Sequence, residues 1–452
     1  MISGGIRNFI ATIVAQRAEL KERARGMARH AVVRNALLLY IVQFSGYIIP
    51  LITLPYLSHV LTTEKFGMVA FGQSFAWYFV ILTEYGFNLT ATREIASSRQ
   101  TPEEVSRVFS AVMLAKLFLT LVGFVILVIA VFAAPALRPY WLLFLISFAA
   151  VIGNLLFPLW LYQGLQKMEH IAIRDFAAKL ISIAALFLFV HSDRDYLFAA
   201  GAQSGAFLLA GIIGLITVPW KLRVPFRWPG VRAVREELTR GWPAFVSLAI
   251  SAFSTVTNQF ILGLKGPASE VAYFAASNRI ISAMRMMVSP ISAAVYPHAS
   301  QKAADSEAGV ILFVRKYAVP LSLPFLAAGL LMLAGAGFIP KFLGAKYAPA
   351  VPVIRLMAFG PLQYSLIQAY STYYMLACGY DKAWMKIILV NVAVNFAMLG
   401  VTLALLRGSM ALAVTGLVTD TVAALLYWRF YARKAKIVLA RKPPSEESLS
   451  LA

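Results

Sequence analysis

Along the 452-residue chain, apolar stretches of membrane-crossing length alternate with short polar or basic breaks. A bilayer core about 30 Å thick takes roughly 20 helical residues. Twelve runs fit that length: 35–58, 66–92, 108–134, 139–165, 171–190, 195–220, 241–264, 271–297, 317–339, 350–377, 383–406 and 409–431. The pattern predicts an all-α integral membrane protein with about twelve transmembrane helices. A longer polar segment at 221–240, carrying Pro225, Pro229 and Gly230, reads as a linker between two six-helix lobes at 35–220 and 241–431. An even number of spans per lobe makes any internal repeat parallel, related by an axis along the membrane normal. A weak trace of one is Val69-Ala70-Phe71 against Val271-Ala272-Tyr273 at the starts of the second and eighth runs.

Composition excludes the soluble alternative, since 60% of residues are hydrophobic and 13% charged, where soluble domains carry about 25%. The formal charge of +21 suggests either nucleic acid or a membrane surface. Its distribution decides for the membrane and excludes nucleic acid. Of 41 Lys and Arg, 29 fall in the N-terminal segment, the C-terminal tail and alternate loops, and 7 fall in the opposite loops. By the positive-inside rule both termini are expected on the cytoplasmic side. Residues 1–34 set Phe9, Ile10, Ile13, Val14 and Leu20 among basic groups, the pattern of an amphipathic helix on anionic membrane lipid, with a frayed basic tail as the alternative. They lack the features of a cleaved signal peptide and are expected to be retained. Residues 432–452 form a second basic cytoplasmic tail. A single cysteine, Cys378, allows no internal disulfide, and no spacing of Cys and His suggests a metal, so no cofactor is expected.

The remaining five cations lie more than a turn inside the runs, where a central charge costs about 2.5–3.5 kcal/mol and so demands a partner, a watery cavity or a route to the interface. Lys116 and Arg355 are close enough to span ends to reach the interface. Lys179 follows Asp175 by one helical turn and can pair with it. Arg285 is fourteen residues into its run, near mid-depth, with Arg279 shallower by six residues. Glu84 and Asp420 are the carboxylates that lie deepest inside the runs. Asp420, near the middle of its run, could relay protons or form a structural ion pair with an arginine such as Arg285. Amides and a phenol at depth, namely Asn88, Asn154, Gln163, Asn258, Gln259, Asn278, Gln363, Tyr364, Gln368, Asn391 and Asn395, are mostly expected to bond between helices. A cleft of cations, amides and aromatics would suit an anionic head group bearing sugars.

No phosphate-binding loop, zinc-binding helix motif or nucleophile elbow is present, and the outer loops are short, so transport outranks catalysis. Several stretches resemble the Wzx-type polysaccharide flippases of the multidrug/oligosaccharidyl-lipid/polysaccharide exporter superfamily. They are Tyr47-Ile48-Ile49-Pro50-Leu51-Ile52-Thr53-Leu54-Pro55-Tyr56-Leu57, Glu84-Tyr85-Gly86-Phe87-Asn88-Leu89 with Ala91-Thr92-Arg93-Glu94-Ile95-Ala96, and Pro158-Leu159-Trp160-Leu161-Tyr162-Gln163-Gly164-Leu165-Gln166-Lys167-Met168. Ser289-Pro290-Ile291-Ser292, Tyr296-Pro297 and Phe342-Leu343-Gly344-Ala345-Lys346-Tyr347-Ala348 add to them in the second half. The resemblance implies a MATE-like pair of lobes around an alternating cleft, with undecaprenyl-diphosphate-linked oligosaccharide as cargo and polymerase and chain-length machinery as partners. Arg93, Lys179, Arg279 and Arg285, with Asn88, Gln163, Asn278 and Tyr364, are then expected to meet the cargo, and Asp420 or Glu84 to couple an ion. The alternatives are a drug exporter of the same superfamily, a carrier of lipid-linked peptidoglycan precursor, and a membrane glycosyltransferase or ligase.

Overall fold

The structure, a computed structural model, describes residues 49–98 and 101–441, without the side chains of 168–175, 251–255 and 441. The basic segment 1–34, the start of the first run and the end of the C-terminal tail therefore lie outside the described residues. Among those described there are twelve helical stretches and no strand. They are α1 (Ile49–Val60), α2 (Thr63–Ser97), α3 (Pro102–Ala133), α4 (Arg138–Gly164), α5 (Met168–Phe189) and α6 (Asp193–Leu222). The second set is α7 (Gly230–Lys265), α8 (Ala268–Asp305), α9 (Glu307–Leu343), α10 (Ala350–Leu376), α11 (Asp381–Leu405) and α12 (Gly408–Arg441). Nine of them are long and apolar enough to cross a membrane, as judged on the described residues. Each matches an apolar run read from the sequence. The linker is shorter than the polar stretch suggests, because α7 already starts at Gly230 and its basic first turns continue a helix that becomes apolar further on.

Hydrophobicity around the whole helix explains why these segments are stable only in lipid. On α3, Leu117, Phe118, Leu121, Phe124, Val125, Ile129 and Phe132 are exposed at three- and four-residue steps, a stripe that water would not tolerate. The opposite face of α3 packs Val108, Val112, Ala115 and Leu119 into the first lobe. Lobe interiors use small residues for close approach. A Cβ on Gly153 of α4 would stand 2.3 Å from the Phe207 carbonyl of α6, and one on Gly211 would stand 2.4 Å from the Gly153 carbonyl.

The turns fix which ends lie together. At one end Thr62 caps α2 and donates from its N–H and hydroxyl to Asp193 at 2.7 and 2.9 Å, and Glu270 receives the Ser409 N–H at 2.7 Å. At the other, arginine-rich end, the linker is held to α3 where the Arg227 N–H donates to Ser110 at 2.9 Å.

The lobes meet chiefly along α2, which packs on both α7 and α8. Near the first end a Cβ on Gly67 would fall 1.7 Å from the Ala268 carbonyl, and Phe66 meets Tyr347 edge-on at 6.2 Å. Further along, Phe75 stacks on Phe260 at 5.0 Å and Tyr78 donates to Thr257 at 2.9 Å. Towards the arginine-rich end α2 breaks at Tyr85 and Gly86, both left-handed, and the bend lays Tyr85 flat against Phe245 at 4.7 Å. The motif Glu84-Tyr85-Gly86-Phe87 is thus a bend that seats α2 on α7. Gly67→Ala is expected to destabilise the protein by about 1–3 kcal/mol through overpacking, whereas Gly205→Ala, with open space around it, is expected to be neutral. Thermal unfolding in detergent checks the pair, and equal midpoints would remove the close contact from the account.

Candidate functional site

A cavity of about 480 Å³ lies among α1, α2, α4, α5 and α6 and, among the described residues, is reached from the second lobe by one side chain, Arg279 of α8. Most of its wall is apolar, with Ala76, Val80, Ala150, Phe157, Leu186 and Phe207. Its polar groups are Gln73, Glu84, Asn154, Lys179, Gln203 and Arg279, together with the hydroxyls of Thr53, Ser147, Ser182 and Ser204.

Arg279 is the chemical centre. Its Nη2 donates to the amide oxygens of Gln73 at 3.2 Å and Gln203 at 3.0 Å, and its guanidinium carbon lies 5.3 Å from the Phe66 ring centroid. Among the described residues it forms no ion pair. Neutral amides orient a guanidinium without cancelling its charge, so the cation remains available to an anion. Across the cavity, Glu84 accepts from Asn154 Nδ2 at 3.0 Å, and the backbone oxygen of Asn154 accepts from Lys116 Nζ at 2.6 Å. Lys116 is 3% exposed. It was expected to snorkel to the interface, but the structure turns it inwards, because Asn154 offers its ammonium an acceptor and Glu84 lies nearby. Arg355 is exposed near the start of α10.

Of the residues expected to meet cargo, Lys179 and Arg279 line this cavity and the others do not. Arg285, the deepest cation by sequence, donates from Nη2 to Asp420 Oδ2 at 2.7 Å between α8 and α12, inside the second lobe. This is the structural pair left open as an alternative for Asp420. Arg93 is exposed on α2 beyond the bend. The Asn88 carbonyl and the Gln163 side chain both accept from Thr92, at 2.8 and 3.3 Å, where α2 meets α4. Asn278 accepts from Ser282 at 3.4 Å within α8, and Tyr364 is half-buried on α10. Of the ion-coupling candidates, Glu84 faces the cavity. The partner proposed for Lys179, Asp175, has its side chain outside the described residues.

Sequence reasoning missed Gln73 and Gln203. Both are amides deep in apolar runs, and that signal could have found them. Their common partner could not be read from the chain, because 206 and 76 positions separate them from Arg279.

Residues 32–302 match the family model described as polysaccharide biosynthesis protein. A relative from Escherichia coli (strain K12), called "Putative O-antigen transporter", is 33% identical over 79% of this chain and 86% of its own length. A protein of the same name from Shigella dysenteriae is 28% identical over 80% of this chain and 90% of its own. Among solved structures, the lipid II flippase MurJ in an inward closed conformation aligns with a TM-score of 0.67 at 12% identity, covering 92% of this chain and 94% of that one. An inward-facing multidrug resistance MATE family transporter aligns with a TM-score of 0.59 at 14% identity, covering 88% and 100%. These structural likenesses concern the fold, which is the MATE-like one. The sequence matches, taken with the helical membrane architecture, show that the chain is a multi-pass membrane protein belonging to the polysaccharide biosynthesis protein family.

Proposed function

We propose that the protein is a flippase that moves undecaprenyl-diphosphate-linked oligosaccharide repeat units across the bacterial inner membrane by alternating access, for surface polysaccharide synthesis. The observation that carries this reading is Arg279, a half-buried guanidinium held by Gln73 and Gln203 in a cavity that also contains Lys179. A diphosphate presents oxygens that a guanidinium binds in a fork, and amides and hydroxyls suit the sugars. The prenyl chain needs no polar site, since it is soluble in the bilayer. The names of the two curated relatives support a surface polysaccharide cargo over a drug. A drug-exporting site would favour an apolar cavity with a lone acid, whereas here two cations face one carboxylate.

In this reading the arginine-rich end and both termini are cytoplasmic, where they meet anionic lipid, and the protein makes and breaks no covalent bond. Repeat units delivered to the outer leaflet become available to polymerase and chain-length machinery. Glu84, the carboxylate in the cavity, is the ion-coupling residue of choice. The reading is tested in proteoliposomes with a fluorescent prenyl-diphosphate oligosaccharide, a lipid-linked peptidoglycan precursor and a cationic dye as parallel cargoes. Translocation of the oligosaccharide lipid, and of neither other cargo, is the expected result. Movement of the dye alone would replace this function with drug export, and movement of the peptidoglycan precursor alone would reassign the cargo.

A further inference from the structure

At the arginine-rich end, α2, α3 and α7 join in a charged cluster for which cargo binding has no use. Glu94 of α2 is held by Arg240 of α7 and by Arg107 Nη2 of α3, the latter at 3.3 Å. Arg107 Nε also donates to Glu104 at 3.0 Å. Arg240 donates to Glu237 Oε1 one turn before it at 3.0 Å. Three carboxylates thus share two guanidiniums. The odd one is Glu237: its side chain is 1% exposed, and its second oxygen, Oε2, is buried without a hydrogen-bond partner among the described residues. Its nearest helical neighbour of like charge, Glu236, is paired in solvent with Arg232 at 3.0 Å.

A buried carboxylate oxygen with no donor is a poor place for negative charge and a good place for a proton. Protonating Glu237 leaves two carboxylates for two guanidiniums and makes the cluster neutral. It also removes the repulsion from Glu94 while leaving Arg240 to hold that residue. We infer that Glu237 is a proton-binding site built into the seam between α2 and α7, where the carboxyl takes up a proton as the two helices close at this end and returns it to water as they part. The same seam carries the Tyr85–Phe245 stack, and Gly241 lies against the Tyr85 ring. Uptake and release occur at one face, so the proton sets how far closure is favoured and is not itself carried across.

Burial, reinforced by Glu94, pushes the Glu237 carboxyl up to about 7 against the pull of Arg240 and Arg107, with Glu236 adding to the rise. Glu104, by contrast, is held below the usual carboxylate range, chiefly by its hydrogen bond from Arg107. A carboxyl whose value is raised in the closed state favours closure fully below its solvated value. That advantage fades as pH rises and is gone above about 7.

The test uses the full chain in lipid nanodiscs, with Cys378→Ser and spin labels on Ala96→Cys and Arg235→Cys, which are exposed on α2 and α7 beside the seam. Between about pH 8.5 and about pH 7 the ratio of short to long distances should be flat, and below that it should climb by up to about tenfold per pH unit. Glu237→Gln should hold the short-distance population high and level throughout, while Glu237→Asp should keep a climb at a shifted onset. Wild-type distances indifferent to pH, or a Glu237→Gln profile with the wild-type slope, would overturn the inference. No cargo enters the measurement, so it stands or falls separately from the transport reading.

Discussion

Arg279→Ala should weaken capture of a prenyl-diphosphate oligosaccharide by about 10- to 100-fold, the equivalent of one or two charge-assisted hydrogen bonds, and should reduce its translocation in proportion. Without cargo, the native side chain is held only by neutral groups among the described residues. Gln73 and Gln203 each accept one bond from it, and no described carboxylate neutralises it. Removing the side chain therefore breaks no ion pair among the described residues, so folding should be preserved while binding is lost. Arg279→Lys should recover only part of the affinity. A lysine keeps the charge but cannot span two amides and a diphosphate with one rigid fork. Gln73→Leu should weaken binding less than the alanine variant, because the guanidinium loses its aim and not its charge. Equilibrium binding and flipping in proteoliposomes measure all three. Wild-type affinity in Arg279→Ala would remove this residue from the site, and with it the main support for an anionic cargo.

The second large effect concerns stability. Asp420→Asn should destabilise the protein by about 3 kcal/mol, since it strands the Arg285 guanidinium in the second lobe without its counter-charge. Arg285 already has a buried Nε without a hydrogen-bond partner, so little else nearby can compensate. Replacing both partners with apolar residues, Arg285→Met with Asp420→Leu, should recover most of the loss, because the cost lies in the unpaired charge and not in the absence of the bridge. Thermal unfolding reads the stability series. Flipping under an imposed proton gradient separates the two roles of Asp420: the doubly substituted protein should still respond to the gradient. A stable double variant that transports but ignores the gradient would make Asp420 the coupling residue after all.

The helices were largely legible because the bilayer sets one length and penalises every interruption. The apolar runs therefore mark where each span lies, closely for 139–165 against Arg138–Gly164, while polar turns carry α7, α8, α9 and α12 well beyond their runs. Side-chain destinations were less legible. Depth along a run can be counted, and it singled out Arg285, but depth says nothing about which neighbour waits there. A carboxylate 135 positions away on α12 claims Arg285, while the shallower Arg279 points between lobes into a cavity. Lys116 was misjudged for the same reason: its place near a span end permitted snorkelling, and only the fold shows the Asn154 carbonyl that draws it inwards. Conversely the motif around Glu84 was visible as a motif, while its physical content, a left-handed Tyr85 that bends α2 onto α7, is a property of the folded backbone.

Arg279 and Lys179 face one cavity from different lobes, Arg279 on α8 and Lys179 on α5. Any separation of α8 from α2 withdraws one cation from the cavity and leaves the other behind. In the proposed reading the charge that faces a head group is then a function of lobe geometry, greater when the lobes are apposed and smaller when they part. On that reading such a site grips and lets go of the same anion with no competing ligand, because the motion that opens the path also withdraws Arg279 from the cargo.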